Sequence, residues 1–429
     1  MILALTQHIY FISFKYDIIE VYYYITLFQG GNKMDFSDKT TLFNHYLDDI
    51  EVPLIRAFDL KCQSIEGINR LTLGQPDFPT PEHIKDAAKK ALDDNFTGYT
   101  HSAGDIRLRE AAASFVKKKY NLDYDPATEV ITTVGATEAL TTALHAIINK
   151  GDKILIAAPY FSIYKEIVHL GGGIPVFIDT AKNNFVLSPE MIEEAMAEHS
   201  DQVKGVLLNY PTNPTGVTWT AKECQAIAET MKQYPDVFVI SDEIYSELVY
   251  EGHHVSMGEY LREQSIIING LSKSHSMTGW RIGFTFAPAE ITTELQKVHQ
   301  YMVTSTTSIA QAGAIEALTN GLDDAEPMKA KYKERRDYIL AEMEDMGFTV
   351  AKPNGAFYLY AKIPAGYIQD SYEFVVDLAE KAKVAVVPGI AFGDAGEGYI
   401  RISYAASLEQ LKEAMERIRT YMEAERPAK

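Results

Sequence analysis

The chain has 429 residues, of which 46% are hydrophobic and 23% charged, and a formal net charge of −19. That acidity argues against nucleic acid or an anionic membrane as a partner, since both would repel it. Two cysteines, Cys62 and Cys224, make neither a disulfide framework nor a metal-ligand cluster, so a reduced, cytoplasmic setting is the default expectation.

The eleven histidines show no metal-ligand spacing, and His253-His254 beside Gly252 reads as loop decoration. No metal is expected. The length exceeds what one simple core holds, which predicts two domains.

Residues 1–33 are rich in Ile, Tyr and Phe. Their apolar runs, 9–14 and 18–28, are each shorter than the roughly 20 residues that span a bilayer. An early basic region and a small-residue cleavage site, as in a signal peptide, are both missing. The segment is expected to be a non-native or dispensable extension ahead of Met34.

Residues 34–70 read as helical and irregular. Leu42, Tyr46 and Ile50 recur at helix spacing, Pro53 breaks the pattern, and Leu54-Ile55-Arg56 opens a second helix. From Leu71 on, short β-branched runs alternate with amphipathic stretches. Strands are predicted at 130–133, 153–157, 175–179, 203–209, 237–241, 265–269 and 281–287. Helices are predicted at 137–149, 161–169, 189–197 and 221–233, each opening near a Ser, Thr or Pro suited to capping. Such alternation predicts an α/β domain with a mostly parallel sheet.

After Thr319-Asn320-Gly321 the rhythm changes. A charged helix at 327–347 precedes strands at 349–351, 356–362, 385–387 and 398–403 and a closing helix at 408–424. The expected division is a large domain over 76–320 and a smaller α+β domain over 321–429, with 34–75 joining the latter or forming an arm.

Ligands of open parallel sheets collect at the carboxyl ends of strands, and the unusual polar residues fall there. The strand at 130–133 runs into Gly135-Ala136-Thr137, a glycine turn opening a helix and suited to a phosphate, or a plain turn. The strand at 153–157 leads to Phe161, which could stack on a flat ring or simply pack. Asn213 lies between Pro211 and Pro214, as a fixed amide donor or a turn residue. Asp242 leaves an apolar strand, either to pair with a cation or to cap a helix, and Tyr245 lies one turn on.

Lys273 follows the buried run Ile266-Ile267-Ile268, with Arg281 eight positions later. An amine among apolar neighbours and beside a fixed cation has its charged form disfavoured, which suits a nucleophile; a solvated loop lysine is the alternative. Together these residues ask for a ring carrying a phosphate arm, a phenolic oxygen, a basic ring nitrogen and an aldehyde, which describes pyridoxal 5′-phosphate.

Gly270-Leu271-Ser272-Lys273-Ser274-His275-Ser276-Met277-Thr278-Gly279-Trp280-Arg281-Ile282-Gly283 resembles the lysine signature of the class I/II pyridoxal-phosphate aminotransferases of fold type I. Asn213-Pro214-Thr215-Gly216 and Ser241-Asp242-Glu243-Ile244-Tyr245 resemble two further landmarks, in the family's order. The likeness runs from about residue 40 to the C-terminus. It implies a large domain with a mostly parallel seven-stranded sheet and a smaller α+β domain.

The resemblance implies that Lys273 is the Schiff-base lysine and proton shuttle. Asp242 would pair with the ring nitrogen, Asn213 and Tyr245 with the phenolic oxygen, and Phe161 would stack on the ring. Ser272, Arg281, Ala136 and Thr137 would hold the phosphate, with Tyr99 reaching it from the neighbouring subunit of a homodimer. Arg401 and Gly74 would take the substrate α-carboxylate, beside Asn213. Gly270 departs from relatives that carry a phosphate-binding serine there.

Within the family, the stretch 272–278 and His299-Gln300-Tyr301 resemble Gram-positive aromatic amino acid or N-acetyl-LL-diaminopimelate aminotransferases. The implied reaction moves an amino group from an L-amino acid to a 2-oxo acid such as 2-oxoglutarate, in ping-pong order. An aspartate aminotransferase and a carbon–sulfur β-lyase on the same fold are the rivals. A regulatory domain that senses the cofactor would carry a basic DNA-binding module, and residues 1–70 offer none.

Overall fold

The computed structural model describes residues 43–48, 50, 52–199 and 202–426. The expected extension, 1–33, and Leu42 lie outside the described residues. The chain divides into two units at Asp48. Among the described residues of the first, 43–48, His45–Leu47 form a 3₁₀ turn inside the stretch read as helical. Asn44 Oδ1 accepts the Tyr46 N–H at 3.1 Å there, a local bond that competes with helix continuation.

The second unit holds everything that follows. Its strands are β1 (Asn69–Arg70), β2 (Val130–Thr133), β3 (Lys153–Ala158), β4 (Ile174–Asp179), β5 (Val203–Asn209), β6 (Phe238–Asp242), β7 (Ser265–Gly270), β8 (Gly283–Phe286), β9 (Thr349–Ala351), β10 (Tyr358–Lys362), β11 (Val384–Ala385), β12 (Val387–Pro388) and β13 (Tyr399–Ser403). Seven form one sheet in the order β2-β8-β7-β6-β5-β3-β4. It is parallel except at β8, which runs against both β2 and β7. The chain is thus a mixed α/β protein with a mostly parallel seven-stranded sheet.

Why these runs read as unbroken apolar stretches is visible in the packing. Leu155, Val206, Val239 and Ile267 enter one hydrophobic cluster, while Ile154, Leu207, Ile240, Ile266 and Ile268 enter another. Alternate residues therefore point to opposite faces, and both faces are covered.

Three predicted strands differ, and the one at 356–362 begins only at Tyr358, past Ala356 with its left-handed backbone (φ +56°). The one at 281–287 is trimmed to β8, because Arg281 has a left-handed backbone (φ +55°). The one at 385–387 splits: β11 pairs in parallel with β1, and β12 joins the four-stranded antiparallel sheet β12-β13-β10-β9.

A third cluster gathers around that smaller sheet. Helix Ala325–Asp345 supplies Tyr332 and Ile339, helix Leu408–Ala424 supplies Leu411 and Ile418, and helix Leu54–Gln63 supplies Phe58 and Cys62. Among the described residues no helix is long and apolar enough to cross a membrane.

Candidate active site

Strands β2, β5, β6 and β7 run in one direction, so their carboxyl ends share one edge of the sheet. Buried Ile266 to Ile268 carry β7 to Gly270, and one helical turn, Leu271–Ser274, then presents Lys273. The Lys273 Nζ donates to the Gly74 carbonyl at 2.5 Å and lies 5.8 Å and 5.7 Å from the ring centres of Tyr245 and Phe357. Burial, reinforced by the Arg281 and Arg401 charges, pushes its pKa down to about 8.

Asp242 ends β6 and is 3% exposed. Tyr164 donates its hydroxyl to Oδ2 at 2.7 Å, and the Ile244 N–H donates to Oδ1 at 3.2 Å. Loss of water is the main influence and pushes the carboxyl up to about 6. Its neighbour Glu243, at 0% exposure, meets His254 at 2.8 Å. His254 is therefore not loop decoration: a buried carboxylate requires partners, and this imidazole is one.

The third component is an anion cradle. The predicted helix at 137–149 begins earlier, at Gly135, and its N-cap Val134 makes no side-chain cap bond. The Ala136 and Thr137 amides lie in this first turn, at the positive dipole end, while the Glu138 carboxylate accepts the Val134 N–H at 2.9 Å. Arg281 folds over this turn, its guanidinium donating to the Thr278 and Val134 carbonyls at 3.0 and 3.4 Å. A Cβ on Gly135, whose φ is +75°, would stand 2.3 Å from Arg281 Nη2, so only glycine lets the two meet. Ser272 is buried beside Lys273.

Arg401 sits in the middle of β13, 2% exposed. Its Nη1 donates to Asn213 Oδ1 at 2.9 Å and its Nη2 to the Thr72 carbonyl at 2.6 Å, while Nε is buried without a partner. The guanidinium stacks 4.4 Å from the Tyr358 ring centre. A buried cation with a donor unsatisfied is suited to a carboxylate. Asn213 is held in turn by its own N–H, which donates to Asn209 Oδ1 at 2.8 Å.

Most predicted site residues converge. Gly74 touches Lys273, and Tyr245 meets Tyr358 hydroxyl to hydroxyl at 2.8 Å. Phe161 stands edge-on to Tyr164, with ring centres 5.8 Å apart. Tyr99 does not join them; it is 89% exposed.

Sequence reasoning missed Tyr164, Tyr358, Phe357 and Thr72. Tyr164 follows Phe161 at helical spacing, a usable signal, whereas Tyr358 is disguised inside an apolar strand.

These residues fit pyridoxal 5′-phosphate. An uncapped helix start with Arg281 suits the phosphate, the buried Asp242 carboxylate suits a protonated ring nitrogen, and a lysine shifted to about 8 suits the aldehyde. Fold and site together define an enzyme that works through this cofactor.

The comparisons agree. The model of "Aminotransferase class I and II" matches residues 66–418. A "Probable N-acetyl-LL-diaminopimelate aminotransferase" of Bacillus subtilis is 46% identical, over 90% of this chain and 97% of that protein. An aspartate aminotransferase of Geobacillus stearothermophilus is 41% identical, over 86% and 94%. The solved structure of an aromatic aminotransferase from Pyrococcus horikoshii superposes with a TM-score of 0.80 at 36% identity, over 86% and 99%. The chain belongs to the class I and II aminotransferases, and it is a pyridoxal-phosphate-dependent aminotransferase.

Proposed function

We propose that the amino donor is a long one, N-acetyl-LL-diaminopimelate or an aromatic amino acid, and that the acceptor is a 2-oxo acid such as 2-oxoglutarate. One observation carries this reading. A cleft of about 870 Å³ opens beside Gly74 and Phe161, and its wall includes Val52, Pro53, Leu54, Leu73 and Ile390. The apolar wall suits a longer, partly apolar side chain better than that of aspartate, which supports a larger donor.

Pyridoxal 5′-phosphate supplies the electron sink. In this reading Lys273 would anchor the cofactor and its amine would move the proton of the donor's α-carbon; its pKa, lowered to about 8, brings the neutral, basic amine within reach at mildly alkaline pH. Asp242 holds the ring nitrogen's proton. Asn213 and Tyr245 orient the phenolic oxygen, and Phe161 covers the ring. Ser272, Arg281 and the Ala136 and Thr137 amides grip the phosphate. Arg401 and Gly74 fix the donor carboxylate, so that only one α-substituent at a time faces the Lys273 amine.

We further propose a homodimer in which the partner subunit's Tyr99 reaches the phosphate. The exposed ring supports this. The reading keeps 76–320 as the large domain and 321–429 with 34–75 as the small one, in a cytoplasmic enzyme whose residues 1–33 are dispensable.

Initial rates with N-acetyl-LL-diaminopimelate, phenylalanine, tyrosine and aspartate against 2-oxoglutarate test the donor. The expected order puts a long donor first by kcat/KM. Aspartate leading by more than about tenfold, a gap of about 1.4 kcal/mol, overturns it.

A further inference from the structure

The same cleft carries charges that the reaction at Lys273 does not use. Helix Leu54–Gln63 turns Arg56, Asp59, Leu60 and Gln63 into its wall, a spacing that puts all four on one face. Buried Thr72 lies at the inner part of this wall, while Arg56 is exposed at the rim.

Arg56 has an acid on its own face, but that acid is taken. Asp59 Oδ1 accepts the Thr72 hydroxyl at 2.5 Å, and Oδ2 meets Arg70 Nη1 at 3.3 Å and Gln63 Nε2 at 3.2 Å. The other charged residues on the wall are Lys165, Glu166 and Asp394. Lys165 stands 4.0 Å from Glu166. Asp394, on the turn Asp394–Gly396, is exposed. Among the described residues Arg56 has no ion-pair partner, so the cleft offers one unneutralised guanidinium and, on another element, one exposed carboxylate.

We propose that Arg56 anchors the far carboxylate of a long dicarboxylic amino donor, and that Asp394 accepts an N–H on the carbon beside that carboxylate. The proposal rests on reading the chain as an aminotransferase for long donors, and it narrows that class. Arg401, deep in the site, takes the α-carboxylate; Arg56, at the rim, takes the second. The apolar part of the cleft wall, Val52, Leu54, Leu73 and Ile390, suits the methylenes of the donor. An aromatic donor would leave Arg56 without a role.

L-2-aminopimelate and L-2-aminoheptanoate have equal chain length and differ at the far end, so their kcat/KM ratio isolates the second carboxylate. The wild-type holoenzyme, with 2-oxoglutarate, is expected to favour 2-aminopimelate by about tenfold or more, in keeping with a charge-assisted contact. Arg56→Met should bring that ratio to near one, chiefly through KM, and Arg56→Lys should restore part of it. Asp394→Ala should remove a preference for N-acetyl-LL-diaminopimelate over 2-aminopimelate.

A wild-type ratio near one, or an unchanged ratio in Arg56→Met with the cofactor fully bound, overturns the proposal while the long-donor reading stands. If aspartate is turned over and neither seven-carbon donor is, the long-donor reading itself fails, and the proposal falls with it.

Discussion

Lys273 and Asp242 respond to the same dry surroundings, and in both the neutral form gains. The lysine falls to about 8 and the carboxyl rises to about 6. For Asp242 the folded pKa lies above the ordinary 3.8. The folded cofactor-free protein therefore holds an extra proton between those values. Its contribution to stability is full below pH 3.8 and is lost as pH rises through 6. A shift of that size is on the order of 3 kcal/mol. Asp242→Asn should flatten this part of the profile, as read by urea unfolding of the cofactor-free protein at pH 4 and pH 6.5. An equal slope in both proteins would rule Asp242 out as its source.

At this scale the sequence was legible wherever a polar residue interrupts an apolar run. Lys273, Asp242, Asn213 and Arg281 each stand at such a break. It was not legible where a site residue is itself part of the apolar pattern. Tyr358 lies within a fully buried strand, and Thr72 serves through its carbonyl, which no side chain announces.

The reversed strand β8 shapes the elements around the cradle. It packs between β2 and β7 and brings Gly283 against Gly270 and, behind it, the Gly135 turn. A Cβ on Gly270 would stand 2.8 Å from the Ile282 carbonyl. The backbones have closed over the space that a serine side chain would need here, which gives the departure at Gly270 a physical reason. Gly270→Ser should thus destabilise the protein by about 1–3 kcal/mol, the usual range for overpacking. A urea midpoint at or above that of the wild type would contradict this packing argument.

Strand positions were legible because β-branched runs are distinct. The direction of β8 was not, because a short run covered on both faces looks alike in either direction. Nor was the split between β11 and β12, where neighbouring pairs of residues serve two different sheets.

Among the described residues the two most exposed large aromatic side chains are Tyr99, at 89%, and Tyr301, at 92%. If the site is completed by a second copy, the wild type should sediment as a dimer, and Tyr99→Phe should bind the cofactor roughly tenfold more weakly, the scale of one hydrogen bond to a charged group. Absorbance titration reads the second effect. A monomer with full cofactor affinity would end the dimer proposal. The mostly parallel sheet was readable from the alternating rhythm of β-branched runs and amphipathic stretches. The turn at His45–Leu47 was not, since a local Asn44 bond outweighed the apolar spacing.

The edge strand β2 has a further consequence, for the timing of folding. Val130 pairs with Phe286, and Thr133 with Gly283. A chain emerging from the ribosome cannot seat β2 against β8 until β3 to β7 have all been made. Pairing so remote in sequence is slow to form, because the intervening loop must be closed first. The phosphate cradle lies where these late partners meet, between the Gly135 turn and Arg281. The turn at Gly135 and the Arg281 guanidinium can therefore meet only in a chain whose sheet has already closed.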